Sequence, residues 1–307
     1  VLFAMPSHDR DRRRSASYIF ALTGTCSSVH TVRMLAAMSL LQSHSPRYPI
    51  AALVASGCMQ KSAVRAALGM TSMRVIEAPW TNVSCHGMRQ AGRGNIDYYS
   101  NLYAKLHIWG LAEYDALLFL DADVAVLRNV DHVLDVMLAH PEYRETRTGQ
   151  GCLLPHSSIP YINTGVWGVR PSRRIHAELM AFVASGHSSC YDGDQSAAQA
   201  FFGARHGARE MQQLHTGYNL KASSPRDQGP LDCLRTRNLN ESDAYIMHWS
   251  GGNKPIIGAG DRTRYRGNAA RDPIEPRARA VYMEHYQRWW RTVDVQGLGA
   301  TTEGMRA

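Results

Sequence analysis

Apolar residues in the first third of this chain come as short unbroken runs separated by polar punctuation. Tyr18 to Thr23 (YIFALT) is apolar until its last residue and predicts a buried strand. After a loop at 24–28, Val32, Leu35, Ala36 and Leu40 share one helical face. Ile50 to Ala55 predicts a second strand, Ser62 to Leu68 a short helix and Met73 to Ile76 a third strand. Strands this continuously apolar are buried on both faces. The β-α-β-α-β order therefore predicts an α/β fold with a mostly parallel sheet flanked by helices.

Residues 80–100 are rich in Gly, Asn and Ser and read as a loop, followed by a helix from Leu102 to Trp109. Ala116 to Leu120 (ALLFL) predicts a strand with Asp121-Ala122-Asp123 at its carboxyl end, where ligands collect in open α/β sheets. Gly165 to Val169 predicts another strand, and Ser172 the cap of a helix running to Ser185. Tyr245 to Met247 predicts a late strand ending at His248. Residues 258–272 are Gly- and Arg-rich and irregular by pattern, and 278–290 resume a helical period. The expected division is a flexible basic lead-in at 1–17, a single domain at 18–257, and an extension at 258–307 whose helix packs on that domain.

The net charge of +8 raises the question of nucleic acid. The positive residues are scattered, with one tight cluster at Arg10 to Arg14, so a nucleic-acid partner is not expected and an anionic small molecule suits the charge as well. There is no apolar run near the length of a membrane span. The chain begins at Val1, which is compatible with loss of a leader or anchor, so the compartment stays open between cytoplasm and Golgi lumen. Six cysteines include no CxxC pair, which argues against a zinc site of ordinary spacing and leaves disulfides open. Sequons occur at Asn82 and Asn240.

Two carboxylates at Asp121 and Asp123, leaving a strand together, can both reach one divalent cation. Asp-x-Asp after a strand also occurs in phosphatases of the haloacid dehalogenase type. Those carry Thr or Val where this chain has Ala125, and place the motif near the start of the fold. His248 opens a second constellation, His-Trp-Ser-Gly-Gly-Asn-Lys-Pro, in which Gly251 would let backbone amides approach a phosphate and Lys254 adds a point charge. Lysine is scarce, with Lys61, Lys105, Lys221 and Lys254 against thirty arginines, so a retained lysine hints at a specific need. Asn163-Thr164-Gly165-Val166 and Asp192-Gly193-Asp194-Gln195 offer amides and carboxylates suited to sugar hydroxyls. They read equally as turn and cap chemistry, with Asp194 the N-cap of the SAAQAFF run.

Taken in order, these segments, with Ala21-Leu22-Thr23, Tyr103 to Trp109 and Tyr218-Asn219-Leu220, resemble glycosyltransferase family eight. This is the glycogenin-like group, with galactinol synthases and bacterial lipooligosaccharide galactosyltransferases. The resemblance implies a GT-A-type domain, a UDP-sugar donor (UDP-glucose or UDP-galactose), Mn²⁺ with Mg²⁺ as the alternative, and hexosyl transfer with retention to an unknown acceptor. It implies Asp121, Asp123 and His248 as metal ligands, Leu22 and Thr23 beside the uracil, and Gly251 and Lys254 beside the diphosphate. It puts Ala122, Lys105, Asn163, Gly165, Asp194, Gln195 and Asn219 around the donor, with Asp194, Gln195 and Lys254 in the chemistry. The chain departs from the family pattern at Ile256, where an aromatic is usual. It has no tyrosine between Lys221 and Ser242, so self-glucosylation is not expected there. A nucleotide-sugar binder without turnover and a nucleotidyltransferase remain the alternatives to an active transferase, and a homodimer is compatible with either.

Overall fold

In the computed structural model the residues described are 15–24, 26–86, 96–148, 162–189, 193–203, 210–221, 229–249 and 273–295. The apolar runs become the centre of the sheet. Strands β1 (Ala16–Leu22) and β2 (Ile50–Ala55) are buried at every position, and β3 (Arg74–Ala78) is the half-exposed edge beyond them. Between them run α1 (Ser28–Ser43), α2 (Ser56–Met59) and α3 (Ser62–Gly69). The first strand thus begins two residues inside the stretch expected as lead-in.

The chain continues through β4 (Cys85–His86), α4 (Ile96–Tyr103) and a 3-10 turn at Ala104–Gly110. Then come β5 (Ala116–Leu120), β6 (Val124–Val126), α5 (Asp131–Ala139), β7 (Glu145–Thr148) and β8 (Val166–Val169). The expected helix from Leu102 is therefore the end of α4 plus the 3-10 turn. The remaining elements are α6 (Arg173–Ala184), β9 (Ser188–Ser189), α7 (Asp194–Phe202), β10 (Met211–Leu214), β11 (Leu220–Lys221), α8 (Pro230–Arg235), β12 (Ile246–His248) and α9 (Ile274–Val295). Short 3-10 turns lie at Thr216–Tyr218 and Glu241–Asp243.

The main sheet has the order β10-β7-β8-β5-β1-β2-β3. Neighbours pair in parallel except at β8, which runs antiparallel to both β5 and β7. This is the expected α/β arrangement, a mostly parallel sheet flanked by helices. The reversed strand matters because it brings the residues just before β8 to the carboxyl end of β5. A small second sheet, β11-β12-β6, starts where Asp123 ends, with His248 opposite Val124 in the antiparallel β12–β6 pair.

Helix α1 is capped by Ser27, whose hydroxyl accepts from His30 N, and α6 by Ser172, which accepts from Ile175 N. In α1 the buried residues run almost continuously from Thr31 to Leu41, a wider face than its spacing suggested. The reason is α9, which packs along α1 and covers the side turned away from the sheet. That C-terminal helix is longer than its sequence period indicated, and its Tyr282 is fully buried. Helix α7 corrects one expectation. Its N-cap is Gly193 at φ +61°, and Asp194 is the first helical residue. A left-handed backbone suits glycine there, and a Cβ on Gly193 would also lie 2.5 Å from Leu102 Cδ2.

A disulfide joins Cys26, in the loop after β1, to Cys58 in α2, and so ties the carboxyl ends of adjacent strands β1 and β2. Cys233 is disulfide-bonded as well. No helix among the described residues is long and apolar enough to cross a membrane. The basic cluster Arg10 to Arg14 and the segment 258–272 lie outside the described residues.

Candidate metal and donor site

The carboxyl end of β5 gathers charged and ligand-type side chains. Asp121 follows the strand directly, its backbone N–H donating to Gly165 O at 2.9 Å across the antiparallel β5–β8 pair. Two residues on, Asp123 is buried, and its carbonyl accepts from Trp249 N at 3.0 Å. That bond and the β6–β12 pairing deliver His248 to the same place. The ligand-type atoms of Asp121, Asp123 and His248 all lie within 4.8 Å of one another, and His248 Nε2 is 3.5 Å from Asp123 Oδ1. Two hard oxygens and one imidazole nitrogen converging on one point fit a divalent cation such as Mn²⁺.

Beside this triad sits Lys105, itself buried, from the 3-10 turn before β5. Its ammonium donates to Asp121 Oδ1 at 3.2 Å and bonds Asp194 Oδ2 at 3.0 Å. Burial alone would lower its pKa, but the charges of Asp121 and then Asp194 outweigh that and hold it above the ordinary lysine value. Burial raises the Asp194 carboxyl above its usual range. Lys105 pulls it back only in part, and Asp121 adds to the rise. Thr164 Oγ1 donates to Asp194 Oδ2 at 2.7 Å, which fixes that carboxylate against the start of β8.

The Asn163-Thr164-Gly165 segment also fixes α7. Asn163 Nδ2 donates to Gln195 Oε1 at 2.9 Å, and Asn163 Oδ1 accepts from Gly165 N at 2.9 Å. Gln195 is half-buried, whereas Asp194 is 4% exposed. The role of Gly165 is steric. A Cβ there would come within 2.2 Å of His248 Cε1, so only glycine leaves room for the imidazole.

Of the residues expected around a donor, Lys105, Asp121, Asp123, Asn163, Gly165, Asp194, Gln195 and His248 are brought together. Ala122 lies between the two aspartates, half-buried. Leu22 is buried at the end of β1 and Thr23 is half-buried just beyond it, next to the disulfide-tied loop. Asn219 is fully buried behind His248, its Oδ1 2.9 Å from His248 Nδ1. Gly251, Lys254 and Ile256 lie outside the described residues.

Two further residues bear on the site without a sequence motif. Thr148 Oγ1 accepts from Asn219 Nδ2 at 2.9 Å. The Tyr282 hydroxyl of α9 reaches Ala122 O at 3.0 Å and Arg33 O at 3.2 Å, tying the C-terminal helix to the metal loop. Thr148 lies in an all-polar strand, which carries no apolar signal, and Tyr282 was visible only as part of an aromatic helix.

No family model matches the chain. Pairwise comparison finds human glycogenin-2, 30% identical over 152 residues, which is 49% of this chain and 27% of that protein. Galactinol synthase 1 of Ajuga reptans is 50% identical over 38 residues, 12% of this chain and 11% of that protein. Over these stretches the chain is similar to glycogenins and galactinol synthases. The match spans less than half the length of the glycogenins compared. Among solved structures, galactosyltransferase LgtC, determined with donor and acceptor sugar analogs, superposes with a TM-score of 0.54. That superposition covers 90% of this chain and 99% of LgtC, at 17% identity, and speaks to fold alone.

Proposed function

We propose that the chain transfers a hexosyl group from a UDP-sugar to an acceptor, with retention and with dependence on Mn²⁺. The observation that carries this reading is the convergence of Asp121, Asp123 and His248 within 4.8 Å at the carboxyl end of β5. Lys105 pairs with Asp121 and Asp194 beside it, while Asp121, Asp123 and His248 offer a dication two carboxylates and an imidazole. The glycogenin and galactinol synthase matches support the transferase class, and the sheet order supports a nucleotide at the ends of β1 and β5.

The reaction breaks the anomeric C–O bond to the diphosphate and forms one to the acceptor oxygen, whose proton is lost as UDP takes up the negative charge. The chemistry a divalent cation supplies here is charge neutralisation of the leaving diphosphate. Lys254 adds a second positive charge to the same leaving group. Leu22 and Thr23 take the base, with the Cys26–Cys58 bond holding their loop. Lys105 holds Asp121 and Asp194 in place through its ion pairs with both. Between the two candidates for stabilising the electron-poor sugar carbon, exposure favours Gln195, which is half-buried, over Asp194, which is 4% exposed.

UDP release from a panel of UDP-sugars tests this. Release from one donor that needs Mn²⁺, stops with chelator and falls at least about a hundredfold in Asp123→Asn is the expected result. Binding of UDP and Mn²⁺ with no release from any donor or acceptor would favour a nucleotide-sugar binder. Pyrophosphate in place of UDP would point to a nucleotidyltransferase.

A further inference from the structure

We infer that Asn219 and Thr148 are positioning residues that hold His248 in the one tautomer able to ligate a cation. This rests on the metal reading above and deepens it.

A neutral imidazole carries one N–H, so the hydrogen on one ring nitrogen decides whether the other offers a lone pair. His248 Nδ1 lies 2.9 Å from Asn219 Oδ1, Asn219 Nδ2 lies 2.9 Å from Thr148 Oγ1, and Thr148 Oγ1 lies 3.4 Å from Val166 O. The last group is a backbone carbonyl, which can only accept. Thr148 therefore spends its single hydrogen on Val166, which leaves its oxygen to accept from the Asn219 amide NH₂. That orientation turns the amide oxygen to His248, so Nδ1 carries the hydrogen and donates. Nε2 is left with its lone pair on the side of Asp123.

With the amide reversed, Nδ1 would accept and Nε2 would carry the hydrogen, blocking the ligand position. Thr148 would then have to abandon Val166. Both relay residues are fully buried, so water cannot substitute for a lost partner. Gly165 completes the arrangement by giving the ring room on its other side. Partners of this kind behind a metal-bound imidazole set ring orientation and ligand basicity, and losing one costs about 10- to 100-fold in metal affinity.

The test is Mn²⁺ affinity, read by electron paramagnetic resonance of free Mn²⁺ on metal-stripped protein, together with the ¹⁵N–¹H tautomer pattern of His248. Wild type is expected to bind Mn²⁺ and to show the Nδ1–H tautomer without metal. Asn219→Leu should weaken Mn²⁺ binding about 10- to 100-fold and mix the tautomers. Asn219→Asp, which keeps an acceptor for Nδ1–H, should restore both. Thr148→Val, with nearly unchanged shape, is the second variant should Asn219→Leu fold poorly. It should shift the tautomer pattern in the same direction. Tight binding in wild type with unchanged affinity and tautomer in Asn219→Leu and Thr148→Val would overturn the relay alone. No Mn²⁺ binding by wild type would overturn the metal reading and the relay with it.

Discussion

Two buried clusters of charge lie on the same sheet and are finished differently. In β7, Glu145 and Arg147 are essentially inaccessible, at 0% and 1% exposure. Glu145 Oε1 accepts from Arg147 Nε at 2.8 Å and Nη2 at 2.5 Å, and Oε2 accepts from Trp167 Nε1 at 3.0 Å. Arg147 Nη2 also donates to Phe202 O at 3.0 Å. One negative group meets one positive group, and the carboxylate's two oxygens are both occupied. At the carboxyl end of β5, Lys105 pairs with both Asp121 and Asp194, and the Nε2 edge of His248 is turned to Asp123 and the same space. The first cluster is closed and structural. The second groups three side chains that could hold a cation, and that difference marks it as the candidate site.

Breaking the closed cluster should produce the largest effect on the fold. Glu145→Gln removes the carboxylate charge that the buried Arg147 guanidinium meets. It should cost about 3–5 kcal/mol in denaturant unfolding whether or not Mn²⁺ is present. A loss that Mn²⁺ rescued would show that the two clusters are not separate.

The next effect is a pH slope from the turn that carries Lys105. His107 Nδ1 is 2.8 Å from His176 Nε2, and its Nε2 is 3.1 Å from Thr81 Oγ1. Burial, and then the neighbouring His176, push His107 down to about 4. Between that value and the ordinary one of about 6.5, the unfolded chain binds the proton that the folded chain refuses. Stability is therefore full above about pH 6.5 and is lost as pH falls toward about 4. Wild type should lose on the order of 2 kcal/mol more than His107→Gln between pH 8 and pH 5. Equal slopes for the two proteins would contradict the buried neutral imidazole.

The smallest effect expected is at the strap between α9 and the metal loop. Tyr282→Phe removes a hydroxyl shared by two backbone carbonyls, with little change in packing, and should cost about 1 kcal/mol in thermal unfolding. No measurable loss would mean that α9 holds the metal loop by its apolar contacts with α1 alone.

What the sequence disclosed follows from this contrast. The parallel strands around β1, β2 and β5 were legible because strands buried on both faces need unbroken apolar runs. Asp121, Asp123 and His248 were legible because each sits where a strand ends. Strand β7 was not legible. Its four residues, Glu145 to Thr148, are all polar and all buried, since their partners come from distant strands and helices. For the same reason Thr148, 71 residues from Asn219 in the chain, carried no local mark. The function of Asp194 was half legible. Its place at the head of α7 was clear, but only the pairing of Thr164 and Lys105 on one oxygen shows why its carboxylate is spent inward. Six cysteines allow many pairings, and nothing local singled out Cys26 with Cys58.

The most direct test of the central claim is the thermal unfolding of wild type, Asp123→Asn and Glu145→Gln, each with Mn²⁺ and with chelator. The account predicts that Mn²⁺ at about a hundred times its dissociation constant stabilises wild type by about 2.7 kcal/mol. The same increment should appear in Glu145→Gln on a lower baseline and vanish in Asp123→Asn. An unchanged melt of wild type with Mn²⁺, or an equal gain in Asp123→Asn, would contradict it.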